Sequence, residues 1–169
     1  MGGNLVKIEF DVKLTIKDLY MFNLGQAYKG MQGFVSLIIP ALIFACAAYT
    51  WNSVSIEKNF INLGIGILIL LYVPVSLYLR SAKVIKTDAV LSQSLHYEVS
   101  EEGIHVSQGE ASAQLEWNQI YRMVAKGNKA LIYTNRMNAY IIPKSQIEGQ
   151  WDALIQLAKM KLETFRLKA

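Results

Sequence analysis

The side chains best suited to metal chemistry are two histidines and a glutamate near the middle of the chain. His96, Glu98 and His105 lie in LHYEVS and GIHVSQ, which flank the turn residues Glu101 and Glu102. Pairing these segments as a hairpin puts all three side chains on one exposed face. A catalytic zinc takes three protein ligands with supporting hydrogen bonds, and a solvated strand face supplies little of that support. We therefore expect no metal site here, and a surface pair between Glu98 and His105 instead.

A second group of basic and aromatic residues follows in the next strand-like segments. Its basic members lie on or beside strand ends, where charged side chains commonly protect turns and sheet edges. The functional interpretation is a site for an anion or a lipid headgroup, or a surface that docks a partner. The candidate partner or anion surface consists of Arg122, Lys126, Lys129, Tyr133, Arg136, Tyr140 and Lys144.

Catalytic signatures are missing from the sequence. It has no Gly-rich phosphate loop, no G-x-S-x-G elbow and no H-E-x-x-H helix. The single cysteine, Cys46, gives neither a disulfide framework nor a paired metal ligand. We expect no catalytic residue, no cofactor and no enzyme activity; an enzyme that acts on lipid is the alternative.

Two uncharged stretches dominate the first half of the chain. No charged residue lies between Lys29 and Glu57, and none lies between Lys58 and Arg80. Each stretch contains the roughly 20 apolar residues that a bilayer requires. We predict transmembrane helices at about residues 33–51 and 60–79. The alternative, two buried helices of a soluble bundle, would normally carry a polar stripe, which both stretches lack.

The distribution of lysine and arginine predicts the orientation. The connecting loop NSVSIEKN offers Lys58, balanced by Glu57. By the positive-inside rule both termini are cytoplasmic in a two-pass protein. The basic residues that flank the two spans on their other side are Lys13, Lys17, Lys29, Arg80, Lys83 and Lys86.

The net charge of +4 is concentrated in the membrane-proximal half of the chain. A surplus placed there suits contact with the bilayer and with anionic lipid headgroups. A nucleic-acid-binding protein would need a clustered basic face. We therefore expect no nucleic-acid partner.

One proline interrupts each span, Pro40 and Pro74, at similar depth from the cytoplasmic ends. Each proline kinks its helix and frees a backbone carbonyl. A matched pair that lines a small crevice or hinge is one interpretation. The other is that prolines are simply commoner in membrane helices than in soluble ones.

The residues around the spans predict four regions. Residues 1–32 hold a strand, LVKIEFDV with Val6, Ile8, Phe10 and Val12 on one face, and then a helix that begins near Thr15 and Asp18. Residues 33–79 are the transmembrane hairpin, and residues 80–93 form a juxtamembrane linker helix. Residues 94–169 form a cytoplasmic β domain with a C-terminal helix.

The β domain reads as a series of hairpins closed by one helix. The predicted turns are Glu101-Glu102, Gly127-Asn128 and Asn135–Asn138, and Pro143 ends the last strand. Strands followed by one amphipathic helix predict a PH-like domain, a curved antiparallel sheet into which the membrane hairpin is inserted. The helix is expected over about residues 146–165, with an apolar stripe of Trp151, Leu154, Ile155, Ala158, Leu162 and Phe165.

Several short motifs also carry a family resemblance. They are E-E-G-I at 101–104, W-x-x-I at 117–120, I-Y at 132–133 and I-I-P-K at 141–144. Their order, together with two central spans, resembles the YcxB-like family of small bacterial membrane proteins. The chain departs from the family's usual basic and aromatic residues after the lysine, having Ser145 and Ile147 there. The resemblance implies an α+β architecture in the bacterial cytoplasmic membrane and implies no activity.

The function that fits these features best is a membrane-anchored, non-enzymatic binding or regulatory protein. It would present its PH-like domain to the cytoplasm, with a protein partner or a second copy of the chain as ligand. The alternative is a small accessory subunit of a membrane transport complex, with the paired prolines as its moving part.

Overall fold

A computed structural model describes residues 7–168 of the chain, which is an α+β protein. Two compact units divide it. The sheet unit combines the chain up to Asp18 with the chain from Val84 onward, and the helical unit is Leu19–Lys83. The helices are α1 (Ile16–Ala27), α2 (Met31–Tyr49), α3 (Ile56–Thr87) and α4 (Trp151–Lys161). The strands are β1 (Ile8–Val12), β2 (Leu95–Val99), β3 (Gly103–Gln108), β4 (Ala111–Glu116), β5 (Arg122–Lys126), β6 (Lys129–Tyr133), β7 (Ala139–Pro143) and β8 (Leu167–Lys168).

The first sheet has the strand order β1-β2-β3-β4, and every pair in it is antiparallel. The predicted alternation of β1 is confirmed, because Ile8, Phe10 and Val12 are buried while the residues between them are exposed. Val6 lies outside the described residues. Since β1 pairs with β2, the strands on either side of residues 13–94 belong to one sheet.

The hairpin of β2 and β3 has the predicted register. Val99 pairs with Ile104 and Tyr97 with Val106, and all four side chains are buried. Gly103 then lets β3 approach β4 closely, since a Cβ at this position would overlap the backbone of Leu115.

The second sheet has the order β7-β6-β5-β8. The two predicted turns of this sheet are confirmed. Between β5 and β6, Gly127 has a φ of +66°. Between β6 and β7, Asn135 Oδ1 accepts from the N–H groups of Met137 and Asn138. The expectation of a single curved antiparallel sheet is wrong. The chain turns through Trp117–Gln119 after β4, so β5–β7 form a separate sheet, and β8 adds a parallel pair with β5.

The C-terminal helix is shorter than predicted. Residues 144–150 form two short 3-10 turns instead, and α4 ends at Lys161. The backbone is extended at Leu162, and further on the Met123 N–H donates to the carbonyl of Arg166 (2.7 Å), which leads into β8. As a result Phe165 is 75% exposed and leaves the predicted stripe, while Leu157 is buried in its place.

The helical unit contains the apolar helices. By length and composition α3 can cross a membrane. Only 6% of the residues in its most apolar 18-residue stretch are buried. The apolar part of α2, Gly33–Tyr49, is shorter. Pro40 lies inside α2 and Pro74 inside α3. Hydrogen bonding within the unit includes Asn23 Nδ2 on α1, which donates to the buried Ser81 Oγ on α3 (3.2 Å).

Two predictions concern the segments that join the units. The Thr15–Asp18 cap is confirmed, because the Asp18 N–H donates to Thr15 Oγ1 (3.2 Å) and the Thr15 N–H to Asp18 Oδ2 (3.1 Å). The separate linker helix over residues 80–93 is not observed. The helical pattern of α3 continues unbroken to Thr87, and a turn follows it.

Candidate functional site

The predicted basic and aromatic residues do not form one cluster. Lys126 pairs with Lys129 across the β5–β6 hairpin, and Lys129 also pairs with Pro143, which precedes Lys144. These three lysines therefore mark one end of the second sheet. The cross-strand pair of Arg122 and Tyr133 lies at the opposite end, which the turn carrying Arg136 follows.

Three members of this group make aromatic contacts within the chain. Tyr133 is 1% exposed and belongs to the core, so it cannot touch a partner. The Arg122 guanidinium lies over its ring at 4.4 Å from the centroid, a cation–π contact. Lys144 Nζ lies 5.5 Å from the centroid of the Trp151 ring, against the first residue of α4. Lys126 and Arg136 remain exposed.

The histidine and glutamate side chains of the first sheet take part in ion pairs. His96 Nδ1 lies 2.9 Å from Asp11 Oδ1, and His96 Nε2 lies 3.7 Å from Glu98 Oε1. Glu98 Oε2 lies 3.1 Å from Lys7 Nζ, so Lys7 takes the place that was predicted for His105, which is opposite Glu98 in the strand register. Within residues 7–168, no group of three His, Cys, Asp or Glu side chains has the geometry of a metal site. This face is therefore a network of surface ion pairs.

Lys7 sets the charge state of Glu98. The hydrogen bond from the Lys7 ammonium is the main reason that the pKa of Glu98 lies below its ordinary value of 4.5. The same ammonium contacts Glu9 Oε1 at 2.6 Å, and its two carboxylate partners raise the pKa of Lys7. The Lys7 and Glu98 side chains are 50% and 35% exposed, so solvent screens their attraction and the network affects protonation more than stability.

An apolar cavity of about 310 Å³ lies between the two sheets, and sequence reasoning missed it. Leu95 and Tyr97 of β2, Val106 of β3 and Ala113 of β4 form one wall, and β7 faces them. Tyr97, Val106 and Ala113 stand side by side in the register, so they share the core face of the sheet.

Small residues on β4 explain why this space is unfilled. Ala113 lies beside Val106 and Tyr97 on the core face and Ala111 lies opposite Gln108, and both alanines are exposed. The sequence signal for this open space was the run ASA at residues 111–113, which follows strand segments with large apolar side chains. We refer to this space as the intersheet cavity.

The rim of the intersheet cavity is held in place by hydrogen bonds. Asp88 Oδ1 accepts from the N–H groups of Val90 and Leu91, both at 2.9 Å. Gln108 Nε2 donates to the Val90 carbonyl at 2.8 Å, which ties the turn to β3. The rim therefore exists before any ligand binds, as is common for binding pockets.

Tyr140 is the predicted site residue that lines this cavity. Its ring packs edge-to-face on Tyr97, with centroids 6.1 Å apart, and Tyr97 stacks on Phe10 at 5.4 Å. Burial raises the pKa of the Tyr97 hydroxyl above its ordinary value of 10.0, and this hydroxyl is neutral at physiological pH. Tyr97 is 1% exposed and supports the ring of the half-buried Tyr140, so Tyr140 supplies the accessible aromatic surface of the cavity, which suits an apolar group.

The comparison with protein families matches this part of the chain. Residues 99–158 fit the family described as YcxB-like protein. This segment is similar to the YcxB-like family. The predicted resemblance is confirmed for the segment from the end of β2 into α4, which includes the β4 and β7 walls of the cavity. No curated protein matches the chain.

A second cavity, of about 320 Å³, lies in the helical unit outside the YcxB-like match. Its lining includes Gly33, Ser36, Ser76 and Arg80. Pro40 and Pro74 are not among the described residues that line it. The crevice between matched prolines, and the transport-subunit function that depends on it, therefore stay predictions.

Replacing Lys7 with methionine should raise the pKa of Glu98 towards 4.5, because the hydrogen bond that lowers it is lost. A lowered carboxyl pKa contributes stability above pH 4.5, and that contribution disappears as the pH falls through the folded-state pKa. NMR titration of the Glu98 carboxyl carbon measures the change. Lys126→Met, in the other sheet, is the control that should leave the titration unchanged. An unmoved Glu98 midpoint in Lys7→Met would contradict the pairing.

Proposed function

We propose that this YcxB-like protein is a membrane-anchored, non-enzymatic binding module. Its sheet unit would lie in the cytoplasm and take up an apolar part of a partner in the intersheet cavity. The observation that carries the proposal is that cavity, because its rim is pre-formed and its wall is left open by two alanines. A partner that fills it would gain roughly 25 cal/mol for each Å² of apolar surface removed from water.

The proposed anchor is a hairpin of α2 and α3 in the bacterial cytoplasmic membrane. Large apolar side chains project outward along both helices, including Phe34, Leu42, Leu68 and Leu71. Residues 50–55 connect the helices, and this short link suits an outer turn. The distribution of lysine and arginine supports cytoplasmic termini.

The proposed fold of the sheet unit is PH-like. The support is the chain order, in which one four-stranded antiparallel sheet precedes a second sheet and then a C-terminal helix. The buried residues Leu154, Leu157 and Ala158 of α4 provide its apolar face. A fold alone does not identify a ligand. The proposed binding therefore rests on the cavity and not on the PH-like fold.

The topology is tested with reporter fusions. A reporter active only in the cytoplasm should work after Ala169 and fail when inserted at Ser53, and an export-dependent reporter should give the reverse. This follows because the basic residues lie on the terminal side of both spans. Equal cytoplasmic activity at both positions would contradict a two-pass anchor.

The binding function is tested by closing the cavity. Ala113→Leu places a branched side chain in the open space, so it should abolish partner binding while the folded protein remains as stable as before or more so. A photoreactive residue in place of Val90, which is 49% exposed on the rim, reports partner contact as a crosslinked adduct in intact cells.

The control is Gln114→Leu, which adds the same side chain one residue further on, on the opposite face of β4. It should leave the adduct intact. An adduct of equal yield in Ala113→Leu would contradict binding in the cavity.

A further inference from the structure

The two edges of the first sheet differ in how they are covered. At the β1 edge, Gln146 accepts from the Lys13 N–H (2.8 Å) and donates to the Lys13 carbonyl (2.9 Å), and Gln150 Nε2 donates to the Glu9 carbonyl (2.9 Å). These glutamines occupy backbone groups that could otherwise pair with a further strand. The chain itself therefore covers three backbone groups along the β1 edge, one of Glu9 and two of Lys13.

The β4 edge has no such cover. Ala111, Ser112, Ala113 and Gln114 are all exposed, and within residues 7–168 the only strand that pairs with β4 is β3. The edge of the second sheet is different, because Ile141 and Ile142 of β7 are 3% and 0% exposed. An open edge strand whose residues 111–115 are uncharged is a template for another strand.

The ladder determines which β4 groups are free. The Ser100 N–H donates to the Gly103 carbonyl, so the backbone groups of Gly103 face β2. Because the direction of the backbone groups alternates along a strand, the N–H and C=O groups of Ile104, Val106 and Gln108 face β4. Their partners on β4 are Leu115, Ala113 and Ala111. The N–H and C=O groups of Ser112 and Gln114 therefore point away from the sheet.

The free edge ends at a defined place. The Glu116 N–H, the next outward donor, is bound by Gln119 Oε1 at 3.1 Å. An added strand thus has four backbone groups available, those of Ser112 and Gln114. A partner residue opposite Ala113 would have its side chain on the face of the intersheet cavity.

The charge of the first sheet selects the partner. Its strands and hairpin turns, residues 8–12 and 95–116, contain no lysine or arginine. Four of its acidic side chains already have partners within the chain, since Lys7 contacts Glu9 and Glu98, His96 contacts Asp11 and Lys161 contacts Glu101. The acidic side chains at the free edge are Glu110 and Glu116, one at each end of β4. A partner with positive charge is attracted to this edge and oriented on it.

We propose that β4 takes up one extended segment of a protein partner as a fifth strand. The segment carries lysine or arginine, and one large apolar side chain opposite Ala113 that enters the intersheet cavity. Backbone pairing to Ser112 and Gln114 supplies affinity, and the cavity and the acidic sheet supply specificity. This inference rests on the proposed binding function and names the partner's chemistry.

The test begins with a library of random twelve-residue peptides, selected on the full chain in detergent micelles. Selected peptides should share an apolar residue with lysine or arginine around it. A labelled peptide with the consensus sequence is then titrated by fluorescence anisotropy. Gln114→Pro removes one outward N–H without touching the β3 ladder, and should weaken binding about tenfold, the equivalent of one or two lost hydrogen bonds. Gln114→Ala keeps the N–H, so the Kd of the peptide should stay within about twofold of its value for the unaltered protein.

A second measurement covers the case in which Gln114→Pro fails to fold. N-methylation of alternate peptide amides removes either the donors that face β4 or those that face solvent. Methylation of the amides that face β4 should abolish binding to the unaltered protein, and methylation of those that face solvent should not. Equal effects of the two sets would overturn strand addition.

The remaining outcomes separate the two proposals. Binding that survives Gln114→Pro but is lost in Ala113→Leu overturns strand addition and keeps the cavity. Binding that survives both variants overturns both. Selected peptides without basic residues overturn the acidic-sheet argument. A self-association lost in Gln114→Pro would make a second copy the occupant and overturn the foreign partner.

Discussion

The sheet unit depends on the pairing of β1 with β2, strands that residues 13–94 separate along the chain. Ile8 pairs with Val99 and Val12 with Leu95, and Phe10 stacks on Tyr97 at 5.4 Å. Bringing such distant segments together costs loop-closure entropy, which the buried strand contacts must exceed. Without β1, the glutamines Gln146 and Gln150 would lose their backbone partners, and the covered edge of the sheet would open.

The same architecture explains why a cavity persists in a small domain. Protein cores are normally close-packed, so an unfilled volume lined by Tyr97, Val106 and Tyr140 lowers stability unless something occupies it. Alanines at 111 and 113 maintain that volume, and the rim turn at Asp88–Leu91 is fixed by Gln108. In the proposed binding function this loss of packing is offset, because a partner would fill the open space and pair with the adjoining free edge.

Local features of the sheet unit could be predicted because they depend on neighbouring residues. Alternating side chains fixed the faces of β1, β2 and β3, and Gly127 and Asn135 marked turns by their backbone chemistry. The failures involve contacts between distant segments. The parallel pair of β5 and β8 ends α4 early, and the interlayer packing buries Tyr133 beneath Arg122. The intersheet cavity also escaped prediction, since it exists only once β4 and β7 face each other.

Amide hydrogen exchange of the full chain in micelles tests the central claim, that β4 is a free edge beside an open cavity, most directly. The amides of Ala113 and Leu115, which bond to β3, should be protected, while those of Ser112 and Gln114 exchange rapidly. Addition of a bound peptide should slow exchange at Ser112 and Gln114. Protection of these two amides in the free protein, or no change on binding, would contradict the account.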